Sequence, residues 1–226
     1  IKRYGFHPTK KYIIWKPDEI SRTRPESVWN APKKIFIQRI SGGTNPLTGT
    51  IDKNQNRAFN SVNSLILKEK YETQYEFILA LINSKVINWF YANSFSNNSE
   101  LTVNISKTFL EKLPIIDFDA DKNQSIKKIV EYVITLKEND SDSTFFERLI
   151  EAMVYELYFP EEIKAGGAEV LKYLDSLPKL EVGQDDKNLK TMEKVYKELS
   201  DPKNPISAAM FKMDTIEEIA IIEGKK

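Results

Sequence analysis

Two acidic patterns in this sequence could hold a metal ion. Asp117, Asp119 and Asp121 imitate the opening of a calcium loop, but the sixth position is Lys122 and the twelfth Lys128, where such a loop requires Gly and Glu. Glu162-Ile163-Lys164 has the E-x-K spacing of metal-dependent nucleases, in which a carboxylate holds the ion beside a lysine. That chemistry needs a strand with a second carboxylate on its neighbour, whereas here the triplet follows a helical stretch and Pro160. His7, the sole histidine, has no Ser or Cys motif to serve as general base, and the absence of Cys removes disulfides, thiol catalysis and thiolate zinc sites. Gly42-Gly43 and Gly166-Gly167 lack the context of a phosphate cradle and read as turns.

What remains is recognition chemistry. Of 16 asparagines, 12 lie between Asn30 and Asn104, many in runs shared with Arg or Lys: Asn45, Asn54, and Asn56 beside Arg57. In the major groove Arg pairs with guanine and Asn with adenine, while Lys holds phosphates. Turn formation is the competing use of Asn. The net charge is zero but unevenly spread: residues 1–70 carry 14 Lys/Arg against 5 Asp/Glu, a net +9, and residues 71–226 carry 19 against 28, a net −9. A basic N-terminal part suits a polyanion, since bound phosphates release their counterions.

The elements that must position these groups change character along the chain. Up to about residue 70 the pattern is short and β-like, with YIIW at 12–15, KIFIQRI at 34–40 and SLILK at 64–68 as strands. Loop-like stretches at 16–32 and 41–56 separate them, long enough to suggest a binding role. From about Glu72 an apolar stripe of Phe77, Ile78, Leu81, Ile82, Val86, Trp89 and Phe90 predicts one mostly buried helix over about 74–92. A short helix capped by Ser106 stops before Pro114, and PIIDF returns to an extended form.

DADKNQS at 119–125 is poor in apolar residues and is the expected boundary; beyond it the chain reads as helices only. Stripes at 126–137 and 144–158 predict an αα-hairpin, the second opened by a Thr144/Glu147 capping box, with weaker helices near 168–177 and 187–199. Leu, Ile, Val and Phe make up 64 of the 226 residues, enough for a core, and no apolar run approaches a membrane span. The start at Ile1, without Met or a signal peptide, suggests a piece of a longer protein, and the lack of Cys suits a reducing, cytoplasmic setting.

The order IFIQRISGG, AFNSVNSLILK, FILALINSKVINWFYANSFS, ISKTFLEKLPI resembles the TaqI-like specificity domain, the target recognition domain of type IIG restriction-modification enzymes and related adenine-N6 DNA methyltransferases. Its specific parts are Gln38-Arg39-Ile40, Leu81-Ile82-Asn83-Ser84-Lys85 and Leu113-Pro114-Ile115, and ELYFPEEIKAGG looks like the helical tail that follows such domains. The resemblance implies an α+β recognition domain, residues 1–118, with a small mixed or antiparallel sheet and packed helices, followed by an all-α extension, residues 119–226. It implies double-stranded DNA as partner, together with a methyltransferase domain of the same parent chain or a partner subunit. The methyltransferase half's Gly-rich loop and [DNS]PP[YFW] tetrapeptide are missing, Asn45-Pro46-Leu47-Thr48 being no match. S-adenosylmethionine and Mg are therefore expected only on the parent enzyme, and this chain is expected to read DNA without modifying it. Arg39 is the first candidate contact, with Arg22, Arg24, Asn45, Lys53, Asn56 and Arg57 as loop candidates; the alternative for Arg39 is a salt bridge at a strand end. Two other classes stay open, a protein-interaction scaffold on the acidic half and a metal-dependent nuclease fragment using Glu162. On charge alone, a fragment ending near Phe118 should bind DNA more tightly than the whole chain.

Overall fold

The computed structural model of the chain describes residues 1–6, 16, 19, 24–41, 45–95, 103–116 and 120–225. His7, the YIIW run, Arg22, Gly42-Gly43 and Asp117 and Asp119 of the calcium-like run lie outside these residues.

The apolar run KIFIQ forms strand β1, Lys34–Gln38, at the centre of an antiparallel sheet of order β3-β1-β4, with β3 at Gly49–Asp52 and β4 at Val62–Leu65. β1 is buried on both faces, which is why it is apolar almost throughout instead of alternating. Ile35 lies on the face that meets helix α2, Tyr75–Asn83, while Phe36 meets Phe6 on the other. Gly49 suits that packing: a Cβ there would lie 3.2 Å from Leu79 and 3.4 Å from Ile82 of α2, tight contacts that those side chains would have to give way to. Lys34 is fully buried, donating to the Trp29 carbonyl at 2.8 Å and sitting 3.3 Å from the Asp52 carboxylate.

Several elements differ from the sequence expectation. The stretches read as loops contain helix α1, Glu26–Trp29, and β3, and β4 begins two residues before SLILK. The single long helix is two, α2 and α3, Lys85–Phe95, broken at Ser84, whose backbone is extended at φ −69, ψ 152. Tertiary contact holds the break open. Ser84 Oγ donates to the Leu81 carbonyl at 2.7 Å, and the buried Glu151 carboxylate accepts the Lys85 N–H at 2.9 Å, an anion at the start of α3. The break also shifts the phase of the stripe: α3 buries Val86, Ile87, Asn88 and Tyr91, and Trp89, expected in the core, is 39 % exposed.

After β5, Val103–Asn104, and α4, Lys107–Leu110, capped by Ser106 as expected, α5 begins at Ala120, inside the anticipated boundary. α5, Ala120–Glu138, and α6, Thr144–Tyr158, pack as the anticipated hairpin. Its cap is shifted by one: Ser143 Oγ, not Thr144, donates to Glu147 at 2.7 Å, and Asp142 accepts the Thr144 N–H at 2.9 Å. Then come α7, Pro160–Ala165, α8, Asp185–Leu199, α9, Pro205–Met213, and α10, Glu217–Ile222; near 168–177 only a 3-10 turn, Leu171–Tyr173, forms. The molecule is α+β with a helical C-terminal part.

One hydrophobic core crosses residue 118. All nine residues of α2 are buried, with the sheet on one side and α5 and α6 on the other. Ion pairs reinforce the junction: Arg3 donates to Glu151 at 2.6 Å, and Lys85 pairs with Glu223, which also accepts from the Tyr155 hydroxyl at 2.7 Å. A fragment ending near Phe118 would thus lose one side of α2, which overrides the charge argument for tighter binding. Among the described residues no helix is long and apolar enough to cross a membrane.

Candidate nucleic-acid interface

Strand β1 changes partner at Arg39. Up to Gln38 it pairs with β4; the Arg39 N–H then bonds Ser61 O at 2.9 Å, and the continuing strand β2, Ile40–Ser41, pairs with β5, placing Ile40 opposite Asn104. The Arg39 guanidinium makes no salt bridge among the described residues. Its Nε donates to Asn104 Oδ1 at 3.2 Å and its Nη1 to Asn60 O at 3.3 Å, leaving three of five donors uncommitted there. The salt-bridge reading of Arg39 is thereby replaced by an amide anchor from a strand 65 residues away.

Two more of the candidate arginines arrive at the same segment. Arg24 donates to Val62 O at 2.5 Å, and the Arg57 guanidinium lies 5.2 Å from the centre of the Trp29 ring, itself packed edge-on to Phe59 at 6.4 Å. Arg24 and Arg39, distant in sequence, therefore meet at Asn60–Val62, just after Arg57. The cation–π contact lays the exposed Arg57 over the buried Trp29 ring.

Lys53 and Asn56 are brought to a different place. Asp52 closes the turn after β3, accepting the Asn54 N–H at 3.1 Å and Asn56 Nδ2 at 2.7 Å. That turn, with Lys2 and the end of α5 at Lys137, lines a cleft of about 490 Å³. The cleft is of mixed sign. Glu138 and Asp140 also line it, and Glu131 of α5, whose carboxyl is pushed up by burial and by Glu76, feels the opposing charges of Lys53 and Lys33. Asn45 is half-buried in the run that leads into β3.

The positive charge of residues 1–70 is not all directed outward. Arg3, Lys33 and Lys34 are engaged with Glu151, Glu76 and Asp52. Part of the asparagine signal is structural as well: Asn83 clamps Gly49 through both N–H and C=O, at 2.8 and 3.1 Å, and Asn88 accepts the Leu47 N–H at 2.7 Å. The Leu81–Lys85 motif thus fixes β3 and its approach to α2. Of the Arg39 partners the sequence did not single out, Asn60 and Asn104, only Asn104 had a faint signal, the β-like alternation of LTVNI at 101–105.

Other chemistry finds little support. Glu162 stands exposed on short helix α7 instead of a strand, and no group of three metal-binding side chains occurs among the described residues. Gly166 and Gly167 close α7, with Gly167 at φ +60 in the turn, so this glycine pair is the turn the sequence suggested.

Comparison with known proteins agrees with this geometry. Residues 1–115 match the model of the TaqI-like C-terminal specificity domain. The chain is 24 % identical over 143 residues to a protein of Methanocaldococcus jannaschii named "Putative type II restriction enzyme and methyltransferase"; the match covers 61 % of this chain and 12 % of that protein. No solved structure matches. With half of its length matched by the family model, and with the partner-switching strand and convergent arginines within that half, the chain belongs to the TaqI-like C-terminal specificity domains, the DNA-specificity modules of restriction-modification enzymes.

Proposed function

We propose that this chain reads duplex DNA for a larger restriction-modification enzyme and carries none of the catalysis itself. The observation that carries this is that Arg24 and Arg39, from two separate segments, meet at Asn60–Val62 beside Asn104, next to Arg57 on the Trp29 ring. The arginines and asparagines supply donors for base edges, and Lys53 with Asn56 on the turn after β3 offers contacts to the phosphate backbone. Arg22 and Asn45 extend the same set of candidates. S-adenosylmethionine and Mg belong, on this reading, to a methyltransferase domain of the same parent or of a partner subunit in the cytoplasm, which would grip the opposite side of the duplex and take the target adenine out of the stack.

Half of such a clamp binds weakly. The isolated chain should bind duplex DNA mainly without sequence preference, with a Kd on the order of 10⁻⁴ to 10⁻⁶ M at physiological salt, weakening steeply as salt rises. Fluorescence anisotropy on a randomised duplex at two salt concentrations tests this. Absence of salt-dependent binding at high micromolar protein would remove DNA from the reading and favour a protein-interaction role for the acidic helices.

A further inference from the structure

The β2–β5 pair has a use that the anchoring of Arg39 does not exhaust. It is a two-stranded antiparallel ribbon continuing from the end of the sheet's central strand, and a ribbon of this width fits the major groove. Its base is rigid. The Ile105 N–H bonds Arg39 O at 2.8 Å, Asn63 Nδ2 bonds Ile105 O at 2.8 Å, and the Ile105 side chain is fully buried. Ile40 and Asn104 are directly opposite in the ladder, so their side chains share one face. Both are exposed, Ile40 to 55 %, although a β-branched apolar residue gains nothing from water.

Resting on the DNA-reading function proposed above, we infer that this ribbon face reads bases, with Asn104 taking an adenine, Ile40 the methyl group of a neighbouring thymine, and Arg39 a guanine. Asn104 Oδ1 accepts from Arg39 Nε with one of its two lone pairs, and Nδ2 has no partner among the described residues. The second lone pair and the Nδ2 donors together match adenine N6–H and N7. Arg39, held at Nε and Nη1, keeps donors for guanine O6 and N7. The protein spends its own hydrogen bonds on orienting the two readers, so little side-chain freedom remains to be lost on binding.

The test is repeated rounds of selection of bound sequences from a randomised duplex pool, which amplify a small base preference above the mainly nonspecific binding expected of the isolated chain, by the full 226-residue chain and by two variants, Asn104→Asp and Ile40→Ser. Aspartate keeps the acceptor that anchors Arg39 but replaces the amide donors, and a carboxylate accepts from cytosine N4. Asn104→Asp should therefore exchange adenine for cytosine at one position by about tenfold in preference and leave other positions unchanged. Ile40→Ser, at an exposed position that folding does not depend on, should lose thymine preference at an adjacent position. Unchanged preferences in both variants, or salt-dependent binding by the parent chain with no base preference, would overturn the ribbon as reader while leaving DNA binding in place. No salt-dependent binding by the parent chain would overturn the proposed function and this inference together.

Discussion

Asn83 offers a direct test of what the Leu81–Lys85 motif does. Its side chain is fully buried at the end of α2, accepts the Gly49 N–H at 2.8 Å and donates to Gly49 O at 3.1 Å. In Asn83→Ala the Gly49 carbonyl keeps a partner, the Tyr4 N–H at 3.0 Å, but the Gly49 N–H is left buried without its acceptor. An orphaned buried donor costs about 1–3 kcal/mol. With the second lost bond and the space vacated, the total should be about 2–4 kcal/mol, read from urea unfolding as a lower midpoint with an unchanged slope. Asn83→Asp sharpens the reasoning, because it keeps the acceptor and sets a carboxylate against Gly49 O. Burial would raise that carboxyl's folded pKa above its unfolded value, and the protonated acid can donate to the carbonyl as the amide does. The variant should therefore regain stability as pH falls through the folded value and lose it as pH rises. A loss under about 0.5 kcal/mol in Asn83→Ala, the scale of a surface change, would refute the clamp.

Three further outcomes follow from the same contacts. A fragment of residues 1–118 should lack cooperative thermal unfolding, since α2 loses α5 and α6; a sharp transition by circular dichroism would show that the first part stands alone. Burial pushes the Glu223 carboxyl up, but the Lys85 and Tyr155 hydrogen bonds outweigh it and hold the group below its usual range. Its stabilising share is thus present above the unfolded value of about 4.3 and lost as pH falls through the folded one. The Tm gap between the protein and Glu223→Gln should be widest near pH 7 and close towards pH 3, and a gap independent of pH would contradict the pairing. Calorimetry should detect no S-adenosylmethionine binding by the chain, and micromolar affinity would place cofactor chemistry here after all.

The helical part was legible because long apolar stripes such as Ile126–Ile134 and Phe146–Leu157 depend on local periodicity alone. β3 was not, because GTID offers a single Ile inside a run of turn-forming residues, and it becomes a strand through β1 beside it and Asn83 above it. Nor does INSK announce a helix break: the carboxylate that holds α3's first turn belongs to Glu151, 66 residues away. The interface divides in the same manner. Arg39 was visible as a polar residue at a strand end, whereas its partners Asn60 and Asn104 come from segments 21 and 65 residues distant and look like any other asparagines.

The burial of α2 on every side has a consequence during synthesis. Its nine residues leave the ribosome well before α5 and α6, and about 75 residues separate the end of α2 from the end of α6. At roughly 5–20 residues per second, this strongly apolar helix spends several seconds in the cell without the layer that covers it. A nascent chain arrested just after residue 118 should therefore recruit holding chaperones, and one arrested with α6 fully emerged should release them.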